Sequence, residues 1–305
     1  MKKGVAIGID VGGTNIKAGL VDEEGQLLAR HVISTAKKQE PAVILGQIED
    51  LVGLLREASP EKVLGVGLAL PGAVDDPQGY CLYCPNLGWG ELEIRTRFAA
   101  NTGLPVRIIN DANAACLGEY FYGSSQDSNT FLSITLGTGI GSGLILNKHL
   151  YTGSFGSGVE AGHMVIEPHG SPCNCGGRGC WETLVSASGI TRRAKDSMGK
   201  ELTPELIFQC AREGDAQARR IVEETVFYLA VGLANLINLF NPDEISIGGG
   251  VAEAAEIISP DLFALIEKNV FPVFKGKAHI HKASQGYYGG VIGASTLWLH
   301  KINMI

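Results

Sequence analysis

Three cysteines, Cys173, Cys175 and Cys180, fall within eight residues of a glycine-rich loop, CNCGGRGC. Three thiols are one ligand short of a tetrahedral zinc site and one too many for a single disulfide. Two histidines compete for the fourth position. His169 stands four residues before Cys173 and reaches the loop by local folding alone. His163 follows Glu160 in GVEAGH, so its ligation would tie the metal to a second function. Metal on one ring nitrogen orients the other, here with a carboxylate close by. A Cys3His set leaves no coordination position open, so such a zinc would brace a loop rather than activate water.

A second chemistry is written in glycine turns. DVGGTNIK, from Asp10 to Lys17, places an acid, Gly12, Gly13, Thr14 and a lysine on one strand–turn–strand. Glycines let the backbone approach an anion closely, and the exposed N–H groups make an anion-binding concavity. Thr14 adds a hydroxyl donor, and Asp10 can hold a magnesium ion through water. LGTGIGSG repeats the device at Gly137 and Thr138, and IGGGV places Gly249 and Gly250 after an apolar strand. Each turn alone would serve equally as a plain β-turn; three together favour a phosphate-handling site. Neither a Walker A loop nor a GxGxxG entering a helix is present. In VRIINDANAAC, Asn110 and Asp111 follow a strand and precede a helix, where open α/β sheets bind ligands. A carboxylate there can take a proton from an attacking hydroxyl; the same two residues are also favoured helix caps.

The elements that must carry these groups alternate between strand and helix. VAIGID and VLGVGLAL read as buried strands, IKAGLVD and QLLARHVIS as neighbouring ones, and 41–57 as an amphipathic helix opening at a proline. This alternation predicts an α/β fold with a central sheet. Residues 131–150 repeat the plan of residues 5–28, apolar strand, glycine–threonine turn, apolar strand, polar turn, strand, with Gly137-Thr138-Gly139 over Gly12-Gly13-Thr14. Two such patterns predict two similar halves facing each other across a cleft. A turn cluster at Tyr122-Gly123-Ser124-Ser125 marks the boundary between them.

The 305 residues suffice for one large or two medium domains, and the composition of 45% hydrophobic and 19% charged residues is that of a globular protein. A net charge of −7 argues against nucleic-acid binding, which needs a basic face. Met1 to Asp10 carries Lys2 and Lys3, but Asp10 interrupts any signal-peptide core. The apolar stretch near Phe227 to Phe240 reads as too short to span a bilayer. Seven cysteines without a signal point to reduced thiols in the cytoplasm. CLYC, from Cys81 to Cys84, has no matching second pair and reads as incidental.

Taken in order, DVGGTNIK, NDANAA, LGTGIGSG, VEAGH, CNCGGRGCWE and IGGGV resemble the ROK sugar kinases of the actin-like ATPase superfamily, and among them most the bacterial glucokinases. The resemblance runs over nearly the whole chain, and the cysteine loop ending in Glu182 is its most specific part. It implies a two-lobed actin-like (ribonuclease H-like) α/β fold with an interlobe cleft and a structural zinc loop. The small lobe would be residues 1–120 plus about 288–305, and the large lobe 121–287. It implies Asp111 as general base on a sugar 6-hydroxyl. Asn110, Glu160, His163 and Glu182 would bind the other hydroxyls, with Asn86 of PNLGW lining the pocket. Asp10, Gly12, Gly13, Thr14 and Lys17, joined by Gly137 and Thr138, would handle ATP phosphates and magnesium, and Gly249 and Gly250 would lie near the adenosine. Zinc would be held by His163, Cys173, Cys175 and Cys180, which selects His163 over His169. Val159 and Ala161 depart from the family's usual residues beside the sugar-binding glutamate. The expected activity is ATP-dependent phosphorylation of glucose in glycolysis by a cytoplasmic homodimer, without nucleic acid or membrane. Other sugars (N-acetylmannosamine, N-acetylglucosamine, fructose, allose, mannose), polyphosphate as donor, and a sugar-sensing repressor are the alternatives. The turn at Asp10 leaves no room for the repressors' N-terminal DNA-binding domain.

Overall fold

The computed structural model describes residues 4–36, 39–254 and 257–305; Lys2 and Lys3 lie outside them. The chain divides into two compact units. The first comprises Met1–Asp127, Gly143–Val159 and Ser284–Ile305, and the second comprises Ser128–Ser142 and Glu160–Ala283.

The chain opens with a meander, β1 (Val5–Val11), β2 (Asn15–Val21) and β3 (Leu27–Ser34), then α1 (Pro41–Glu57) and β4 (Val63–Leu70). A small three-stranded sheet follows, β5 (Ala73–Asp75), β6 (Tyr80–Tyr83) and β7 (Leu92–Glu93). Next come α2 (Arg95–Thr102), β8 (Val106–Asn110) and α3 (Asp111–Tyr122). The main sheet has the order β3-β2-β1-β4-β8, with β1–β3 antiparallel and β1, β4 and β8 parallel. The helix read at 41–57 forms with Pro41 in its first turn, where a missing N–H costs nothing. Its buried residues Ile44, Ile48, Leu51 and Leu55 recur at helical spacing and join Ile7, Ile9, Val66 and Leu68 in one core.

The second stretch runs β9 (Thr130–Leu136), β10 (Ile140–Leu146), β11 (His149–Tyr151), α4 (Glu182–Val185), α5 (Ala187–Met198), α6 (Pro204–Arg212) and α7 (Ala216–Phe240). It ends with β12 (Glu244–Gly248), α8 (Gly250–Ala254), α9 (Pro260–Asn269), β13 (His279–Lys282) and α10 (Gly289–Leu299). Its sheet has the order β11-β10-β9-β12-β13, with β9, β12 and β13 parallel. The repeat of pattern is therefore a repeat of structure: β1–β2 and β9–β10 are both joined by short Gly/Thr connections, at 12–14 and 137–139. The apolar stretch at 227–240, read as too short to cross a bilayer, is the end of the longer α7. By length and composition α7 could cross one, but half of the relevant window is buried inside the protein. It packs against α5, α6 and α9, as a core helix does.

In the first unit, α10 lies against β1, β4 and α3 with almost no side chain between. Strand side chains alternate between faces, so Ile7 and Ile9 meet α1 while Gly8 meets the backbone of Val291. A Cβ on Gly8 would overlap the Val291 carbonyl, one on Gly67 the Ala294 carbonyl, and one on Gly293 the Ala114 carbonyl of α3. Backbone cannot move aside as a flexible side chain can, so these glycines set how close α10 comes. Past the helix, His300 stacks on Phe121 at 4.2 Å, with its Nε2 2.8 Å from the Tyr122 hydroxyl. Burial lowers the His300 pKa, with Glu23 opposing.

Gly293→Ala should lower the unfolding free energy by about 3 kcal/mol or more through overpacking, read from urea denaturation. His300 gives a second expectation. Its folded form holds the proton less tightly than the unfolded chain, so stability is lost as pH falls below about 6.5. His300→Phe should keep the stack and show a smaller drop in melting temperature between about pH 7.5 and about pH 5 than the unsubstituted protein.

Candidate functional site

In the first unit the turn after β1 and the start of α3 gather the acids and glycines. Asp10 and Lys17 are register partners across the β1–β2 hairpin, and Lys17 Nζ donates to Asp10 Oδ2 at 2.7 Å. Lys17 also donates to the Tyr287 carbonyl at 3.2 Å and lies 4.5 Å from the centre of the Tyr287 ring. Its charge is thus spent locally on Asp10 and Tyr287, a partner that no motif signalled. Gly12 N–H bonds Asn15 O at 2.9 Å, and Thr35 Oγ1 donates to Gly12 O at 2.7 Å, which fixes the turn. Thr14 is exposed at its tip. Asp10 runs close to Gly290, where a Cβ would come 3.0 Å from Asp10 Oδ2.

Asn86 lies beside Gly13, where an added Cβ would stand 3.8 Å from the Asn86 Cβ. Asn110 ends β8 and caps α3: its Oδ1 accepts from Ala112 N at 2.9 Å and Asn113 N at 3.0 Å. Its Nδ2 donates to Gly72 O and to Asp111 Oδ1. Asp111 Oδ1 also accepts from Ala112 N at 2.9 Å. The carboxylate is therefore held at a helix N-terminus, where the dipole favours negative charge. Asn110 is thus a helix cap and also a brace for Asp111. Cys84 is buried next to this region and its thiol donates to Pro71 O; its contact with Cys81, and then burial, push its pKa up.

In the second unit Gly249 has φ +90° and lies flush on Leu136, the residue before Gly137. Only glycine adopts this backbone readily. Gly137, Thr138, Gly249 and Gly250 are thereby brought to the same strand ends. Gly137 N–H bonds Gly139 O, and Ala187 N–H bonds Gly137 O. Glu182 opens α4, and its Oε2 accepts from Ile140 N at 2.9 Å. A side chain on Gly139 would collide with that carboxylate. The GVEAGH loop is pinned to β10, since Ala161 N–H bonds Ser142 Oγ at 3.0 Å. Ile140 and Ser142 lie within LGTGIGSG, but their partners Glu182 and Ala161 could not be read from the motif, because both pairings are distant along the chain.

His163, Cys173, Cys175 and Cys180 each offer one ligand atom, and all four atoms lie within 4.8 Å of one another. Cys173 Sγ is 3.7 Å from His163 Nδ1, and Cys175 Sγ is 3.7 Å from Cys180 Sγ. A tetrahedral zinc with Zn–S near about 2.3 Å and Zn–N near about 2.0 Å requires edges of roughly 3.5–3.8 Å, so the donor set fits. His169 is exposed and outside the group. With Nδ1 facing the sulfurs, His163 Nε2 points to Glu160, 4.0 Å from its Oε2. Desolvation raises the Glu160 pKa, His163 opposes the shift and Glu182 adds to it. Burial pushes the Cys180 thiol up to about 12; a divalent ion reverses that, because the thiolate is the ligand. The loop leads directly into Trp181, which is fully buried, packs on Gly232 and donates from Nε1 to Tyr228 O at 2.8 Å.

A model of the ROK family matches residues 6–301. A glucokinase of Halalkalibacterium halodurans is 34% identical, over 97% of this chain and 94% of its own length. The crystal structure of a ROK family glucokinase from Streptomyces griseus, in complex with glucose and AMPPNP, superposes with a TM-score of 0.84 at 33% identity. That match covers 97% of this chain and 99% of the other. A xylose repressor of Bacillus subtilis is 29% identical over 100% of this chain and 79% of its own length. The α/β fold is that of the ROK glucokinase structures.

Cys175→Ser should reduce retained zinc from about one ion per chain to near zero after dialysis, measured by elemental analysis. Cys175 is the exposed ligand, so its loss leaves the buried packing around Trp181 intact at the start.

Proposed function

This chain belongs to the ROK family, and from that premise we propose that it transfers the γ-phosphoryl group of ATP to the 6-hydroxyl of a hexose, glucose before other sugars. The observation that carries the reading is Asp111, a carboxylate held by Asn110 and Ala112 at the start of α3. As general base it accepts the proton of the hydroxyl as that oxygen attacks phosphorus. Asn86, Asn110, Glu160, His163 and Glu182 bind the sugar hydroxyls. His163 does so from the nitrogen that the metal leaves facing Glu160, so zinc works by orienting a ligand.

The glycine turns at Gly12, Gly13 and Thr14 and at Gly137 and Thr138 position the phosphates through backbone N–H groups. Lys17 keeps Asp10 in place, and Gly249 and Gly250 leave room for the adenosine. Magnesium, held through Asp10 and water, supplies charge neutralisation on the phosphates. Exclusion of water from the site protects ATP from hydrolysis. The protein works as a cytoplasmic homodimer. A second reading, a sugar sensor without turnover, draws on the alignment with the Bacillus subtilis repressor, which spans this whole chain and 79% of the repressor.

An ADP-release assay with ATP and magnesium over a sugar panel tests the reading. Turnover highest with glucose is expected; an N-acetylated sugar or mannose in first place would keep the mechanism and change the substrate. Sugar binding without turnover would replace the kinase by the sensor. Asp111→Asn should lower kcat by about 100-fold to 10,000-fold, with a much smaller change in sugar affinity. Near-normal turnover in that variant would remove Asp111 from the role of base.

A further inference from the structure

A second group of side chains with metal-ligand chemistry stands apart from the cysteine loop. Glu244 opens β12 and His279 opens β13; the strands run parallel with Glu244 opposite His279 and Ser246 opposite His281. Because strand side chains alternate, Glu244, Ser246, His279 and His281 share one face of the sheet. One ligand atom from each of Glu244, His279 and His281 lies within 4.8 Å of the other two. The imidazole rings are 5.5 Å apart between centroids and inclined by 32°.

The hydrogen bonds fix the tautomer of one ring. His281 Nδ1 is 3.1 Å from the carbonyl of Lys282, which only accepts, so Nδ1 carries a proton. This is the outer contact that metal-bound histidines commonly make, and it turns Nε2 to the ligand side. Nε2 lies 3.3 Å from Glu244 Oε2. A lone pair and a carboxylate do not attract each other, so the close approach calls for either a second proton on Nε2 or a metal ion between them. A second proton would serve that pair alone and leave His279 without a part; a divalent ion uses all three groups. Donors about 2.0–2.1 Å from a tetrahedral zinc stand roughly 3.4 Å apart, close to the spacing found. A separate observation points the same way. Ser246, opposite His281 on this face, is fully buried and its hydroxyl has no hydrogen-bond partner. Buried hydroxyls are rarely left so, and a water on the ion would complete it.

We propose that Glu244, His279 and His281 form a second metal site for a borderline divalent ion, zinc foremost, which pins edge strand β13 to β12. Two imidazoles and one carboxylate suit such ions better than magnesium or calcium. His279 is exposed, which provides the entry path. The site is at the N-terminal end of β12, whereas Gly249 and Gly250 follow its C-terminal end. The ion therefore acts on the stability of the edge strand and not on phosphoryl transfer.

The test is calorimetric titration of zinc into chain whose cysteine site is already filled. One further saturable equivalent is expected, with a rise in melting temperature. His279→Ala and His281→Ala should each weaken that equivalent by at least about tenfold, leaving the tightly held ion and kinase turnover unchanged. Equal melting temperatures of native chain and His279→Ala without added zinc establish that the variant is folded. Absence of a second equivalent, or one that persists undiminished in both variants, overturns the proposal and leaves a plain His281–Glu244 ion pair.

Discussion

Backbone laid directly on backbone is the constraint on which the first unit rests. Helix α10 reaches β1 through Gly8, β4 through Gly67 and α3 through Gly293, and at each point a single added carbon would strike a carbonyl group. Sterics of this kind leave no alternative spacing, since interiors are as dense as crystals and backbone does not yield. Two chemical groups inherit their positions from that contact. Asp10 sits at the end of the strand that α10 covers, beside Gly290, and Asp111 begins the helix that α10 grips. Packing thus sets where these two carboxylates stand.

The second unit solves the same problem with ligand bonds. A loop of glycines and exposed residues buries too little apolar surface to order itself, and the four gathered donors could supply what the loop lacks by closing on one ion. Trp181 continues the braced segment into the core against α7, so the loop is fixed at both ends. Glu182, next in sequence, is then held by Ile140 N–H, and His163 faces Glu160 with its second nitrogen. The two imidazole systems of this unit follow one rule: the contact at one nitrogen decides what the other can do. In His163 the first contact is with sulfur donors, in His281 with a backbone carbonyl.

Much was legible in the residues alone. The helix at 41–57 follows from its apolar spacing and leading proline. The doubled strand–turn–strand plan was visible because short glycine turns between apolar strands leave a local signature. The cysteines announced a metal by spacing, while the fourth ligand needed either the family pattern or the fold, since both histidines were near enough along the chain. The apolar run at 227–240 belongs to a helix that packs within its own unit: apolar composition tells that a helix is buried, and only the fold tells in what.

Local sequence therefore determined the elements, the turn chemistry and the inventory of donors, because propensity, glycine conformation and ligand softness act within a few residues. Tertiary structure decided the pairings. Lys17 with Asp10, Glu182 with Ile140, Ala161 with Ser142, and Glu244 with His281 join residues whose separation carries no periodic signal. Such contacts arise only when strands take register and helices settle at the distance their smallest residues permit. A one-residue change of register would turn each of these side chains to the other face.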